Sequence, residues 1–294
     1  MKQKVKIKIK DTKAFLKKAS TDHIKTVLQA VELNKSGEAQ KKFLPFVKSM
    51  WPGFIEGTHH RIIAEKMERI ASGKLKRLIV NMPPRHTKSE FASYLFPSWI
   101  IGQCPTKKII QTTHTAELSV NFGRKMKNLI DSEDFQKIFP KVSIAADSKA
   151  AGRWHTNHGG EYFAAGVGGA ITGRGADLLI IDDPHSEQDA LSATGMESVY
   201  EWYTSGPRQR MQPGGAIILV MTRWSVKDLT GALIKAQSDK DADKWELIEF
   251  PAIWENGKSM WPEYWDVEEL EKVKATLPAA KWNAQFQQNP TAEE

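Results

Sequence analysis

One apolar run constrains the fold of this chain more than any other feature. Residues 178–181 read Leu-Leu-Ile-Ile, and two carboxylates, Asp182 and Asp183, follow them directly. A strand that is apolar on both faces belongs in the middle of a parallel sheet covered by helices on both sides. Open α/β sheets bind their ligands at the carboxyl ends of the strands, so the two carboxylates are expected at a ligand site.

A second segment carries the pattern of a phosphate-binding loop. Residues 82–89 read Met-Pro-Pro-Arg-His-Thr-Lys-Ser and directly follow an apolar run at 78–80. A Lys-Ser pair that opens a helix presents backbone N–H groups and the positive end of the helix dipole to phosphates. The usual pattern, GxxxxGK[ST], has glycines where Met82 and Thr87 stand. Taken alone, the segment also fits a proline-rich turn before an ordinary helix.

Together the two segments predict a P-loop NTPase that uses ATP and Mg²⁺. Lys88 is expected at the β- and γ-phosphates, and Ser89 and Asp182 are expected to hold Mg²⁺. Asp183 is expected to orient and deprotonate the attacking water. The alternative for the two carboxylates is a solvated strand end with a helix N-cap, because Asp is a common cap residue.

The rest of the chain alternates predicted strands and helices. Strands are predicted at 77–81, 108–112, 216–222 and 245–250, and the Gly159-Gly160 pair predicts a hairpin within 156–167. Helices are predicted over 12–50, 60–70, 88–101, 115–130, 193–209, 228–237 and 266–287. This alternation predicts an α/β fold with a mainly parallel, doubly wound sheet flanked by helices, preceded by a helical N-terminal segment.

Length and charge suggest how the chain is organised. A chain of 294 residues favours one ATPase domain, predicted at 51–290, with a basic arm and helices at 1–50 and a linker starting at 291–294. The first 50 residues hold 13 Lys and 4 Asp or Glu, a balance of +9 in a chain whose net charge is +7. Such an arm can attract nucleic acid, and a solvated tail explains the charge equally well.

Composition argues against several classes of protein. No apolar run approaches the ~18 residues that a membrane span needs, so no membrane partner is expected. The lysine-rich N-terminus has no apolar segment of the kind found in secretory signals. The single cysteine, Cys104, excludes an internal disulfide and a cysteine zinc cluster, which fits a reducing cytoplasm.

Three motifs in order resemble the large terminase subunit of tailed bacteriophages, the ATPase of the motor that pumps DNA into a prohead. They are MPPRHTKSE at 82–90, LLIIDDPH at 178–185 and VMTRW at 220–224, and the resemblance extends from 43–47 through 287–290. It implies a homo-oligomeric ring that moves double-stranded DNA, with a portal protein and a small terminase subunit as partners. The implied place is the host cell cytoplasm, at the portal vertex of the prohead. The alternatives are a helicase-like P-loop ATPase and a P-loop scaffold that binds nucleotide or nucleic acid without turnover.

The resemblance also implies roles for individual residues. Arg85 resembles a loop arginine that contacts the γ-phosphate, and Thr222 resembles a strand-end sensor that couples hydrolysis to movement. His60 stands where related motors have an adenine-reading glutamine, although a surface histidine on an amphipathic helix is an equal alternative. Many P-loop motors have Glu where Asp183 stands, so Glu187 is the alternative water activator. The nucleotide-binding segment is expected to comprise Pro84, Arg85, His86, Thr87, Lys88, Ser89 and Glu90.

Arg174 is a candidate for acting on a neighbouring subunit. It lies between Gly173 and Gly175, eight residues before Asp182, and flanking glycines can push a long side chain outward. An arginine delivered across a ring interface would stabilise the charge on the transferring phosphoryl group. The alternatives are a contact with a DNA phosphate and a simple loop charge.

Because no further strand with acidic metal ligands precedes Glu294, we expect no nuclease activity from this polypeptide.

Overall fold

The computed structural model describes residues 21–190 and 192–291. The basic arm predicted at the N-terminus lies outside the described residues as far as residue 20, and so do residues 292–294 of the predicted linker. Within the described part of the chain, no helix has the length and apolar character needed to cross a membrane.

Within the described residues, seven strands form one sheet whose character matches the predicted fold class. They are β1 Arg77–Asn81, β2 Lys108–Thr113, β3 Arg153–His155, β4 Glu161–Gly166, β5 Ala176–Asp182, β6 Met211–Met221 and β7 Glu246–Glu249. The strand order is β3-β4-β2-β5-β6-β1-β7. Every neighbouring pair is parallel except β3 and β4, which form an antiparallel hairpin around the predicted glycine pair, although β3 ends before residue 156, where the predicted strands began. The prediction of a mainly parallel α/β sheet is therefore confirmed.

Helices cover the sheet and connect its strands. They are α1 Thr21–Lys41, α2 Phe43–Met50, α3 Thr58–Ala71, α4 Phe96–Gln103, α5 Ala116–Ile130, α6 Glu133–Ile138, α7 Glu187–Ala190, α8 Ala193–Ser205, α9 Leu229–Ala236, α10 Val267–Ala275 and α11 Ala279–Lys281. A π-helical segment, Glu90–Leu95, leads into α4, another spans Trp282–Phe286, and Pro207–Arg210 forms a 3-10 turn.

Two predicted helices are shorter than expected because prolines interrupt them. The helix predicted to reach residue 209 ends at Ser205, and Pro207 begins the 3-10 turn. The helix predicted over 266–287 is divided before α11, where Pro278 lies at the N-cap. Proline has no backbone N–H to donate and disfavours helical geometry in the residue before it, so each break has a local cause.

The central strand β5 packs against a separate core on each face. Leu178 and Ile180 belong to a cluster that includes α2, α3 and α4 side chains. Leu179 and Ile181 point to the other face and join a cluster with side chains from α8 and α9. This alternation is the reason that the run at 178–181 is apolar throughout, and it places Asp182 at the carboxyl edge of the sheet.

Candidate functional site

The loop between β1 and the following helix has backbone angles that are usually found at glycine. Arg85 and Thr87 have left-handed φ angles of 62° and 73°. Thr87 occupies the position where the usual phosphate-loop pattern has glycine, so the loop keeps this geometry with a β-branched residue. Such a conformation costs on the order of 1–3 kcal/mol and persists when neighbouring contacts hold it. One of these contacts joins Thr87 Oγ1 to His60 Nε2 at 2.7 Å.

Three residues predicted from separate motifs meet beside this loop. Lys88 begins the helix, is nearly buried, and its Nζ lies 2.9 Å from Asp183 Oδ2. Asp183 Oδ1 accepts a hydrogen bond from the backbone N–H of Thr222 at 2.9 Å. The Thr222 hydroxyl donates to the carbonyl of Met82 at 3.1 Å, which joins the end of β6 to the start of the loop. The ends of β1, β5 and β6 therefore form one connected polar site.

Asp182 lies beneath this site with both carboxylate oxygens bonded to serines. Oδ1 accepts from Ser89 Oγ at 2.9 Å, and Oδ2 accepts from Ser93 Oγ at 2.7 Å. Gln111 of β2 in turn donates to Ser93 Oγ at 2.8 Å. Burial, followed by the charge of Asp183, raises the pKa of Asp182 to about 7, while Lys88 and the two serines oppose this rise.

Sequence reasoning missed Ser93 and Gln111. A usable signal existed for Ser93, because it lies four residues after Ser89 and so on the same face of a helix. Gln111 had a weaker signal, because it directly follows the two isoleucines of a predicted strand. Both side chains are buried, and together they orient the Asp182 carboxylate from the side away from the loop.

The donor atoms at this site fit Mg²⁺. The Ser89 hydroxyl and the Asp182 carboxylate are hard oxygen ligands 2.9 Å apart, and Mg²⁺ is commonly held by one or two such groups together with water and substrate phosphates. In the described residues, no group of three His, Cys, Asp or Glu side chains could hold a metal ion by protein ligands alone. Ser89 and Asp182 would therefore hold the ion jointly with a bound phosphate.

The role expected for His60 is wrong, and so is the alternative of a surface residue. His60 is fully buried, and its ring stacks on Phe91 at 4.9 Å between centroids. Its Nδ1 accepts from the backbone N–H of Gly57 at 2.8 Å, so the neutral ring carries its proton on Nε2 and donates to Thr87 Oγ1. Burial, and then the charge of His86, lowers the pKa of His60 to about 3. With both nitrogens bonded inside the protein, His60 supports the loop and does not face a nucleobase.

The other loop side chains differ in what they offer a phosphate. The His86 ring is buried, its Nδ1 lies 2.7 Å from the carbonyl of Pro84, and burial lowers its pKa to about 4. Glu90 is 3.0 Å from Lys125 Nζ. These two side chains have protein partners, whereas the side chain of Arg85 is exposed beside the site.

Two of the expected catalytic residues lie elsewhere. Glu187 is 70% exposed and pairs with Lys281 Nζ at 3.1 Å, whereas Asp183 contacts Lys88, so the geometry favours Asp183 as the carboxylate at the phosphates. Arg174 was expected to project outward, and that expectation is wrong. Its guanidinium lies 2.9 Å from Glu161 Oε1 and 3.9 Å from the ring centroid of Phe163. Because Glu161 begins β4, Arg174 lies at the amino edge of the parallel sheet, opposite the phosphate loop.

Comparison with solved structures shows which fold this is. An arginine-to-alanine mutant of the Thermus phage P74-26 large terminase ATPase domain matches with a TM-score of 0.51 and 13% identity, over 84% of this chain and 98% of that one. The HK97 bacteriophage large terminase matches with a TM-score of 0.49 and 13% identity, over 76% and 49%. The large terminase of a thermophilic bacteriophage, in complex with ADP, matches with 0.49 and 10% identity, over 76% and 52%. The chain thus spans about half the length of the latter two proteins.

The comparison of structures detects these similarities, whereas comparisons of whole sequences do not. No protein-family model and no curated protein sequence matches the chain. At 13% identity, the match to the P74-26 domain shows a shared fold. The chain has the fold of a large terminase ATPase domain, as its three motifs implied.

Proposed function

We propose that this chain is an ATP-hydrolysing motor subunit of the large-terminase kind, which moves double-stranded DNA into a prohead. The observation that carries the proposal is the convergence of Lys88, Ser89, Asp182 and Asp183 at one edge of the sheet. The shared fold with the ATPase domain of a phage large terminase supports the choice of a packaging motor over other P-loop enzymes.

The loop is suited to bind the triphosphate of ATP. Lys88 opens a helix, so its ammonium group and the helix N-terminus present positive charge in the same direction. The Lys88 side chain is 8% exposed, and water therefore screens its charge poorly. Lysine has three N–H donors, so Lys88 can bind a phosphate oxygen and still hold Asp183 in place.

Asp183 is the group best placed to act on the attacking water. One of its oxygens is bonded to Lys88 and the other to the N–H of Thr222, so its carboxylate is oriented by two fixed donors. A carboxylate held in this way can accept a proton from water as the water oxygen bonds to the γ-phosphorus and the bond from that phosphorus to the β,γ-bridging oxygen breaks, releasing ADP. Thr222 also contacts the first residue of the loop, which fits the proposed role of a sensor at the end of β6.

Mg²⁺ held by Ser89 and Asp182 would supply positive charge against the β- and γ-phosphate oxygens. For this role Asp182 has to be ionised. Because the pKa of its carboxyl is raised to about 7, its negative charge is lost as the pH falls below that value. We therefore expect the affinity of the metal-free protein for Mg²⁺ to decline on the acid side of pH 7.

The partners of the proposed motor follow from the terminase resemblance. We infer double-stranded DNA as its cargo, a homo-oligomeric ring as its active form, and a portal protein and a small terminase subunit as its neighbours. The place of action is the portal vertex of a prohead in the host cytoplasm.

Measurements of ATP turnover by three variants test the proposed ATPase activity. Lys88→Ala should abolish turnover and weaken ATP binding. Asp183→Asn should leave Mg·ATP binding largely intact and lower turnover by ~10²-fold or more, the typical contribution of a positioned base. Glu187→Gln is the matched control, because its carboxylate is exposed and paired with Lys281. Unchanged turnover in Lys88→Ala, or the loss of turnover in Glu187→Gln instead of Asp183→Asn, contradicts the assignment.

DNA movement needs a separate assay. Purified protein added to proheads with DNA and ATP should protect the DNA from nuclease, and Asp183→Asn should remove that protection. Unwinding of a forked duplex without any protection would identify a helicase. Nucleotide binding without turnover would identify a scaffold.

A further inference from the structure

The topology of the sheet fixes the direction in which a nucleotide lies. Strand β1, which leads into the phosphate loop, lies between β6 and β7. Asp182 and Asp183, the groups for the metal and the attacking water, are at the end of β5 on the far side of β6. The γ-phosphate end of a bound nucleotide therefore points toward β6, and the nucleoside end points toward the side of β7.

The chain that follows β7 places aromatic side chains against the loop on this side. The indole N–H of Trp265 donates to the carbonyl of Arg85 at 3.4 Å. The Trp265 ring also stacks on the ring of His86, with centroids 5.8 Å apart and planes 12° apart. Lys88 stands three positions after Arg85, which is at most about 10 Å of chain. The aromatic segment is thus attached to the loop within reach of a nucleotide that Lys88 binds.

Tyr264 has the environment of a stacking surface. One face of its ring stacks on Trp261, with centroids 4.5 Å apart and planes 21° apart. Trp261 is buried, so this backing is rigid, yet Tyr264 itself is 57% exposed. The Trp265 ring, which contacts the loop, meets the Tyr264 ring edge-on, with centroids 5.9 Å apart and planes 81° apart, and more than half of the tyrosine remains exposed to solvent.

We propose that Tyr264, backed by Trp261, is the surface on which the base of the bound nucleotide stacks. This inference rests on the proposed function, because it concerns the same nucleotide. Every base has a π-face, so stacking tolerates different bases. His60, which the sequence suggested as a reader of adenine, has both ring nitrogens bonded inside the protein. The site should therefore discriminate strongly between a nucleotide and a bare polyphosphate, and weakly between ATP and GTP.

Comparing the affinity for ADP with that for inorganic pyrophosphate separates the contribution of the base from that of the phosphates. Calorimetric titration of the Mg²⁺-loaded wild type should show tighter binding of ADP than of pyrophosphate. Tyr264→Ala should weaken ADP binding about tenfold, the usual effect of removing one stacked aromatic ring, and leave pyrophosphate binding unchanged. Tyr264→Phe keeps the ring and should stay within about twofold of the wild type for both ligands. Trp254→Ala is the matched control, since Trp254 is an exposed aromatic of the same segment whose backbone N–H bonds to the carbonyl of Lys258.

The outcomes distinguish this inference from the proposed function. If wild-type protein hydrolyses ATP and Tyr264→Ala binds ADP as tightly as the wild type, the stacking surface is refuted and the ATPase stands. Equal weakening of ADP and pyrophosphate in Tyr264→Ala also refutes it, because the variant would then have disturbed the loop. If wild-type protein binds neither ligand, the proposed function and this inference both fail.

Discussion

Replacing His59 with leucine should stabilise this protein, and should do so most at acidic pH. His59 is 1% exposed, and within the described chain neither of its ring nitrogens has a hydrogen-bond partner. Its surroundings are aromatic, with His60 at 3.8 Å and Trp261 at 5.3 Å between ring centroids. A buried polar group without a partner costs about 1–3 kcal/mol. Leucine has a similar volume and a higher helix propensity, so His59→Leu should gain about 1 kcal/mol or more near neutral pH.

The stability gained by His59→Leu should grow as the pH falls. Burial, followed by the charges of His60 and His86, lowers the pKa of His59 to about 2, against 6.5 for an ordinary histidine. The unfolded chain therefore takes up this proton below pH 6.5 while the folded chain stays neutral, and stability falls with pH. Between pH 7.5 and pH 5, this one histidine costs about 2 kcal/mol of folding free energy. The value depends little on the folded pKa, provided that it lies well below 5.

Urea denaturation of both proteins at pH 7.5 and pH 5 measures the effect. The advantage of His59→Leu should increase by about 2 kcal/mol between the two pH values. His158→Leu is the control at pH 7.5, because His158 is exposed and its replacement removes no buried polar group. An advantage that stays constant with pH would refute the argument from linkage. A less stable His59→Leu at pH 7.5 would refute the argument from the unpartnered ring nitrogens.

Three further variants test contacts of the site. Ser93→Ala removes a donor that lowers the pKa of Asp182, so the pH below which the metal-free protein loses affinity for Mg²⁺ should move upward in calorimetric titrations. Thr87→Gly should be more stable than Thr87→Val by about 1–3 kcal/mol in thermal or urea unfolding, because valine keeps the strained left-handed backbone and lacks the hydroxyl. Arg174→Ala should lower stability by about 1 kcal/mol and leave ATP turnover within about threefold, because its guanidinium already has partners at the amino edge. A large loss of turnover in Arg174→Ala would restore its catalytic role.

The order of strands and helices could be predicted from the sequence because burial leaves a direct pattern of apolar residues. The run at 178–181 has to be apolar throughout since each face of β5 packs against its own core. Parallel strands bring their carboxyl ends to one edge, and together with the loop pattern this rule placed both Lys88 and Asp183 at one nucleotide site. They are in contact at 2.9 Å, although 95 positions separate them in the chain.

Details of the site were harder to predict because they depend on the sign of backbone φ angles and on packing between residues that are distant in the sequence. A threonine at position 87 does not reveal a left-handed φ, which only the folded loop shows. His60 lies on a helix whose pattern fits an exposed or a buried histidine, and packing against Phe91 decides between them. Trp265 reaches the carbonyl of Arg85 across 180 positions, and no local pattern indicates such a contact.

The contacts around Asp183 also bear on how hydrolysis could be transmitted. Asp183 has a left-handed φ of 41°, and its carboxylate joins Lys88 to the backbone of Thr222. The next residue, Arg223, is buried, pairs with Asp228 at 2.9 Å, and its backbone N–H donates to Gln288 at 3.1 Å. Because Thr222, Arg223 and Gln288 are buried and bonded, we predict that a displacement of Asp183 moves the end of β6 and, through it, the segment around Gln288.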